Sequence, residues 1–329
     1  MNSRPLVTVC IPTYNRPEML RASLQSVLWQ SLRDIEVIVS DNASSTDTEA
    51  VVAAFGDPRV RIDRLDHNIG LHGNLSRCLR LGSGRYRVML PDDDLMLPGN
   101  LEAKAAFFEA HPSVGLVHSA FRYIDAESLP YGPVTNWVQA DTDTLQTGME
   151  FIGKSIAQGG ITCVSSVMLR SDLVAGEAFV PEDGPYCDLA LWLRVAARSD
   201  VGFLAAPLSA YRVHTGSAST GFHTHRRVFG RTVATMHHAD ALLLAHSRFI
   251  ERADFDERTR EGLRELLRHS DHQMRLSVRL NETLPPLVIR AVKRLARWGR
   301  PGRLYSSLSL YSAYSPEPNR VATAGGTRQ

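Results

Sequence analysis

Over the first ninety positions, short β-branched apolar runs alternate with stretches of helical period. LVTVCIP (6–12), IEVIVSD (35–41), RVRIDRL (59–65) and YRVMLP (86–91) read as buried strands. Between the first two, RPEMLRASLQSVLWQS (16–31) sets Leu20, Leu24, Val27 and Leu28 at helical spacing, with Pro17 suited to a first turn. Residues 46–55 and 71–81 are helical by the same criterion. This β-α-β-α order predicts an α/β fold with a mostly parallel sheet flanked by helices. Farther on, 114–125, 161–170 and 201–214 are strand-like, 148–157 and 187–198 are helical, and 130–143 reads as a polar loop. Residues 226–280 are charged, helix-periodic and nearly free of Gly and Pro, which predicts a helical C-terminal region. The expected divisions are 1–221, a helical 222–315 and a disordered tail at 316–329.

Composition adds mainly exclusions. The 329 residues are 43% hydrophobic, enough for a sizeable core. The net charge of +2, from 37 basic and 35 acidic residues, argues against nucleic acid as a partner. Four scattered cysteines form no CxxC pair, so reduced thiols in a cytoplasmic protein are expected. The N-terminus lacks a signal-peptide core, and no run reaches the ~20 apolar residues of a membrane span. The basic segment LVIRAVKRLARW (287–298) is compatible with peripheral contact with an anionic membrane and equally with packing on the domain. A homo-oligomer is compatible with the chain as well.

Candidate chemistry follows from topology. Ligands of open parallel sheets bind beyond the carboxyl ends of the strands. Those ends carry Thr13-Tyr14-Asn15-Arg16, Asp41-Asn42, Asp66-His67-Asn68 and Asp92-Asp93-Asp94. Three adjacent carboxylates repel and resist ionising together unless a positive group joins them. Mg²⁺ or Mn²⁺ is suited to such a place, since it takes one or two carboxylates plus substrate phosphates. A second motif, Gly148 to Ser155, satisfies the P-loop formula GxxxxGKS but follows a polar, acidic stretch rather than a strand. Thr147 and Glu150 instead fit a capping box.

VTVCIPTYNRPEML, IEVIVSDNASSTDT, HNIGLHGNLSRCLRLGSGRYRVMLPDDDLMLPGNL, YCDLALWLRVA and YRVHTGSAS together resemble the family 2 glycosyltransferases of GT-A fold, over roughly the first 220 residues. These enzymes invert configuration and use nucleotide-diphosphate sugars, usually with a divalent metal. The resemblance implies that Pro12, Thr13, Tyr14 and Arg16 belong to the nucleotide-binding loop. It implies that Asp41 reads the base edge and that Asn68 and Gly70 lie under the nucleotide. It places Asp92 over the ribose and sugar, and Asp93, Asp94 and His214 at the metal and diphosphate. Asp188 matches the catalytic base. Pro91 stands where the family often has an acid, Cys187 replaces a common Glu and Ala190 a common Asp. The implied reaction moves a sugar to a hydroxyl on a saccharide, lipid-linked or other acceptor, in polysaccharide, glycolipid or glycoconjugate synthesis. A sugar nucleotidyltransferase and a non-catalytic nucleotide-sugar-binding protein are the alternatives.

Overall fold

The computed structural model describes residues 4–135, 141–158, 163–217 and 240–283. Strands β1 (Val7–Thr13), β2 (Ile35–Asp41), β3 (Val60–Arg64) and β4 (Tyr86–Met89) form a parallel block in the order β3-β2-β1-β4. The sheet continues through β9 (Val167–Arg170), which is antiparallel to its neighbours, then β6 (Val114–Ile124), β10 (Asp200–Arg212) and the two-residue β5 (Leu95–Met96), with β8 (Thr144–Gln146) antiparallel to β10. β6 and β10 are parallel to each other.

Alternation along the strands explains the layers. Val9, Ile11, Val37, Val39 and Val117 face one side of the sheet, where they pack with helices α1 (Pro17–Leu28), α2 (Thr48–Ala53) and α4 (Asn100–Ala110). Cys10, Ile38 and Leu116 face the other side, toward α3 (Gly70–Cys78), α5 (Gly148–Gln158), α6 (Ser171–Val174) and α7 (Cys187–Ala196). Burying each Val, Leu or Ile contributes about 1.5–3 kcal/mol, so both faces are committed and the strand register is fixed. The C-terminal helices α8 (240–252) and α9 (Glu257–Thr283) join that second core through Leu242, Phe249, Ile250 and Leu263. The expected division near 221, the basic segment 287–298 and the tail lie outside the described residues.

Three elements depart from the expectations. The polar stretch after 130 begins with a strand, β7 (Pro130–Thr135), which pairs antiparallel with β6. It carries Pro130, Gly132 and Pro133, which hide a strand signal and are tolerated only at a sheet edge. Helix α4 carries no amphipathic mark because its buried stripe is partly polar: Asn100, Leu101, Lys104, Ala105 and Phe108. Of the strand expected over 161–170, the described residues place Val167–Arg170 in β9, with a 3₁₀ turn at Val164–Ser166 before it.

Lys104 is fully buried, its Nζ has no hydrogen-bond partner, and burial pushes its pKa down to about 7. That is below its value of 10.5 in a free chain, so the amine costs the fold stability as pH falls from 10.5 toward about 7. Lys104→Met should therefore raise stability by about 1–4 kcal/mol at pH 7. In urea melts the gain should shrink at pH 10.

The P-loop formula is explained by packing. Thr147 N donates to Glu150 Oε2 (2.8 Å) and Glu150 N to Thr147 Oγ1 (3.2 Å), the reciprocal bonds of a capping box. Lys154 is held by Gln146 Oε1 (2.9 Å) and Ser155 by buried His246 (2.9 Å). A Cβ on Gly148 would lie 1.7 Å from the carbonyl oxygen of Ala196, whereas one on Gly153 meets nothing within 4 Å. Gly148→Ala should cost at least about 1–3 kcal/mol through overpacking. Gly153→Ala should gain about 1 kcal/mol through helix propensity. Opposite shifts in Tm are the check.

Candidate functional site

Each strand end hands its polar residues to the next loop, and hydrogen bonds lace these loops together. Asn42 N donates to the Thr13 carbonyl (3.0 Å), and Asn15 N donates to Ser44 Oγ (2.9 Å). Ser45 N returns to Asn15 Oδ1 (2.7 Å). Asn15 and Ala43 both adopt positive φ (56° and 62°), backbone that the lacing holds in place. Asn42 Nδ2 donates to Asn68 Oδ1 (2.9 Å), and Asn42 Oδ1 accepts from Ile69 N (2.9 Å). Gly70 N also donates to Asn68 Oδ1 (2.7 Å), and Gly70 has φ 76°, which a side chain would resist.

Asp41 is fully buried at the end of β2. Its Oδ1 accepts from Ser44 N (2.9 Å) and Ser44 Oγ (2.5 Å). Its Oδ2 lies 3.3 Å from Arg64 Nη1, a charge contact without hydrogen-bond alignment, so that oxygen retains acceptor capacity. Pro12 is buried in β1, while Tyr14, Ile69 and Leu71 stay exposed on the adjoining loops. The arrangement is a buried acceptor beside exposed apolar surface.

The aspartate run forms a second cluster. Asp92 accepts from Thr13 Oγ1 (2.7 Å) and from Arg16 Nη1 (3.2 Å). The same Arg16 nitrogen reaches Asp93 Oδ2 (3.0 Å), and His214 Nε2 lies 3.0 Å from that oxygen. Arg16 Nη2 also donates to the Gly216 carbonyl, tying the segment after β10 to α1. The guanidinium is thus one positive group that answers the repulsion within the run. Burial first, and the charge of Asp93 second, still push the Asp92 pKa up to about 6.

Asp94, which the sequence groups with Asp93 and His214, turns to other partners among the described residues. Its Oδ1 accepts from Arg212 N (2.8 Å). The turn closed by Asp94 N on the Pro91 carbonyl (3.1 Å) sends the two neighbouring carboxylates to different partners. Buried and next to Asp93, Asp94 has a pKa well above the usual carboxylate range.

Asp188 is carried by a different element. It occupies the first turn of α7, half-buried, with Oδ1 accepting from Leu189 N (2.8 Å). Burial pushes its pKa up to about 6. No hydrogen bond or ion pair joins it to the aspartate run among the described residues.

Chemically, Asp93 Oδ2 and His214 Nε2 are an oxygen and an imidazole donor, a pair suited to a divalent cation whose remaining ligands come from phosphate. Among the described residues no three His, Cys, Asp or Glu side chains form a cage of their own. A cation here would therefore be shared with a bound diphosphate. Sequence reasoning did not single out Arg64 or Ser165, and it met Arg212 only as part of the YRVHTGSAS match around His214. Their partners are distant in sequence, and the one available signal was that Arg212 lies two residues before His214.

Comparisons with known proteins bear on both family and fold. A model of the Glycosyl transferase family 2 matches residues 8–170. MT1568 of Mycobacterium tuberculosis is 30% identical over 66% of this chain and 70% of its own length. The UDP-Glc:alpha-D-GlcNAc-diphosphoundecaprenol beta-1,3-glucosyltransferase WfgD of Escherichia coli is 26% identical, over 65% of this chain and 80% of its own. Among solved structures, Staphylococcus aureus TarS 1–349 with UDP-GlcNAc superimposes with a TM-score of 0.61 at 15% identity, covering 94% of this chain and 91% of that one. The mannosyltransferase PcManGT of Pyrobaculum calidifontis, with GDP-Man and Mn²⁺, gives 0.52 at 17% identity over 95% and 87%. No described helix is long and apolar enough to cross a membrane. Sheet order, strand-end residues and relatives converge: the chain is a glycosyltransferase of family 2, with the GT-A fold.

Proposed function

We propose that this enzyme transfers a sugar, with inversion, from a nucleoside diphosphate to a hydroxyl of a saccharide or lipid-linked acceptor in cell-envelope polysaccharide synthesis. The observation that carries the reading is the convergence of Thr13, Arg16, Asp92, Asp93 and His214 on one cluster beyond the strand ends. Relatives support the substrate classes. WfgD is named for a UDP-glucose donor and a diphosphoundecaprenol-linked acceptor, and TarS and PcManGT were solved with nucleotide sugars.

In this reading Asp41 Oδ2 receives an N–H of the base, and Tyr14 packs against its ring. Asn68 and Gly70 shape the backbone beneath the nucleotide, and Pro12 and Thr13 set the first wall. Asp92 faces the ribose and sugar. Asp93 and His214 lie at the diphosphate end and would hold a divalent cation there, which when bound would supply positive charge to the leaving group. Arg16 adds a second positive group there. Asp188 takes the proton of the acceptor hydroxyl as that oxygen attacks the anomeric carbon. The sugar–phosphate bond breaks on the opposite side, with oxocarbenium character at that carbon. Attachment to the inner face of the membrane would follow from a lipid-linked acceptor.

The test is product identity. Incubated with a panel of nucleotide sugars and a mixed saccharide and lipid-linked acceptor pool, the enzyme should release nucleoside diphosphate. Release of pyrophosphate from sugar phosphate and nucleoside triphosphate would establish a nucleotidyltransferase instead. Binding of a nucleotide sugar with no transfer to any acceptor in the pool would contradict the assignment.

A further inference from the structure

We infer that Arg212 is a positioning residue that sets the spacing between Asp93 and His214 and locks the turn after β6 to the diphosphate end of the site. The inference rests on the functional reading above, but its evidence is geometric. Arg212 ends β10 and is only 3% exposed. Its backbone N–H donates to Asp94 Oδ1 (2.8 Å), and its Nε donates to the main-chain carbonyl of Asp93 (2.7 Å). One residue thus grips the backbone and the side chain of two neighbours in the aspartate run. Two positions on, His214 Nε2 comes to 3.0 Å from Asp93 Oδ2. The intervening Val213 N is pinned to the Ile124 carbonyl (3.0 Å), so the path from Arg212 to His214 has little slack.

The other arm of the guanidinium reaches the opposite side. Nη1 donates to the carbonyls of Asp125 (2.9 Å) and Ala126 (3.0 Å) and to Ser128 Oγ (2.9 Å). That turn is already closed on itself. Asp125 Oδ1 accepts from Glu127 N (3.1 Å) and Leu129 N (2.8 Å), and Ser128 sits at φ 70°. A self-contained turn needs no arginine to fold, so the contact serves to attach it. All the acceptors of the guanidinium are carbonyls or a hydroxyl, and it forms no ion pair among the described residues. A buried cation used this way is costly unless its fork geometry is needed. Misplacement by about 1 Å in a reacting site can cost about 100-fold in rate. A residue that fixes two sides of the diphosphate locus therefore has leverage without touching substrate.

The test is a double-mutant cycle of Arg212→Lys and His214→Ala, read by calorimetric titration of UDP and GDP in Mn²⁺, with uridine and guanosine as controls. Lysine keeps the charge and loses the fork. Arg212→Lys should weaken binding of the diphosphate at least about 10-fold, and the double variant should bind within about twofold of His214→Ala alone, because coupled sites are not additive. Nucleoside affinity should hold within about twofold of wild type, since the base site is elsewhere. Multiplying losses, equal loss of nucleoside binding, or an unimpaired Arg212→Lys would each overturn the inference. Should Arg212→Lys melt below the assay temperature, Asp94→Ala removes the acceptor of the Arg212 amide, and the same selective loss is expected. Wild type binding neither diphosphate would instead overturn the functional reading.

Discussion

Asp188→Asn should bind the nucleotide sugar as wild type does and transfer it about 10²–10⁴-fold more slowly, the usual contribution of a general base. The amide is nearly isosteric and can still accept from Leu189 N, so the first turn of α7 should persist. What it cannot do is take a proton. The same residue predicts a pH profile. Burial lifts the folded-state pKa of Asp188 from 3.8 to about 6. Below that pH the carboxyl carries the proton and the base is lost, so kcat/KM should fall on an acid limb near 6 and level off above it. Asp92 titrates in the same range, so the limb belongs to Asp188 only if Asp188→Asn removes it. Unimpaired transfer by the variant, or an unchanged limb in its residual activity, would take the base role from Asp188.

Asp93→Ala should reduce nucleotide-sugar affinity in Mn²⁺ at least about 100-fold, because it removes the carboxylate through which a cation would be held against the diphosphate. The variant strips His214 of its carboxylate and leaves Arg16 paired with Asp92 alone. Added Mn²⁺ should then no longer strengthen binding. The fold should not suffer, since among the described residues the Asp93 side chain hydrogen-bonds only to Arg16 and His214. Titrating the donor with and without Mn²⁺ separates the two contributions. Wild-type activity that ignores chelators would remove the cation from the account and leave Arg16 and His214 as the charge partners of the diphosphate.

Much of this arrangement is legible before any coordinates. Strand-end residues follow from β-branched runs, and a ligand site follows from parallel topology, so Thr13, Asp41, Asp92 and Asp93 were accessible to reasoning along the chain. His214 required the family resemblance, because its strand lies over a hundred residues from the aspartate run. The division of work inside the run was not legible. Asp93 and Asp94 are adjacent and chemically identical, and only the turn at Pro91 and the incoming Arg212 amide send them apart. The role of Arg212 escaped for a related reason: its acceptors are main-chain carbonyls, which leave no trace in side-chain chemistry. Helix α4 was hidden by Lys104, a cation on the buried face where a period-based reading looks for apolar residues. The P-loop formula was the converse case, a strong pattern whose glycine is required by the approach of Ala196 and not by phosphate.

The central claim is that one site beyond the strand ends holds a nucleoside diphosphate through Asp93 and His214. Thermal unfolding of wild type and Asp93→Ala with UDP, GDP and their sugar esters, each with and without Mn²⁺, tests it most directly. At about 100 times its dissociation constant a bound ligand adds about 2.7 kcal/mol of stability. For a chain of this size that is a rise in Tm of at least several degrees. The prediction is such a rise for wild type with one nucleotide class, larger with Mn²⁺ and absent in Asp93→Ala. An equal rise in the variant, or none in wild type with any nucleotide, would contradict the claim.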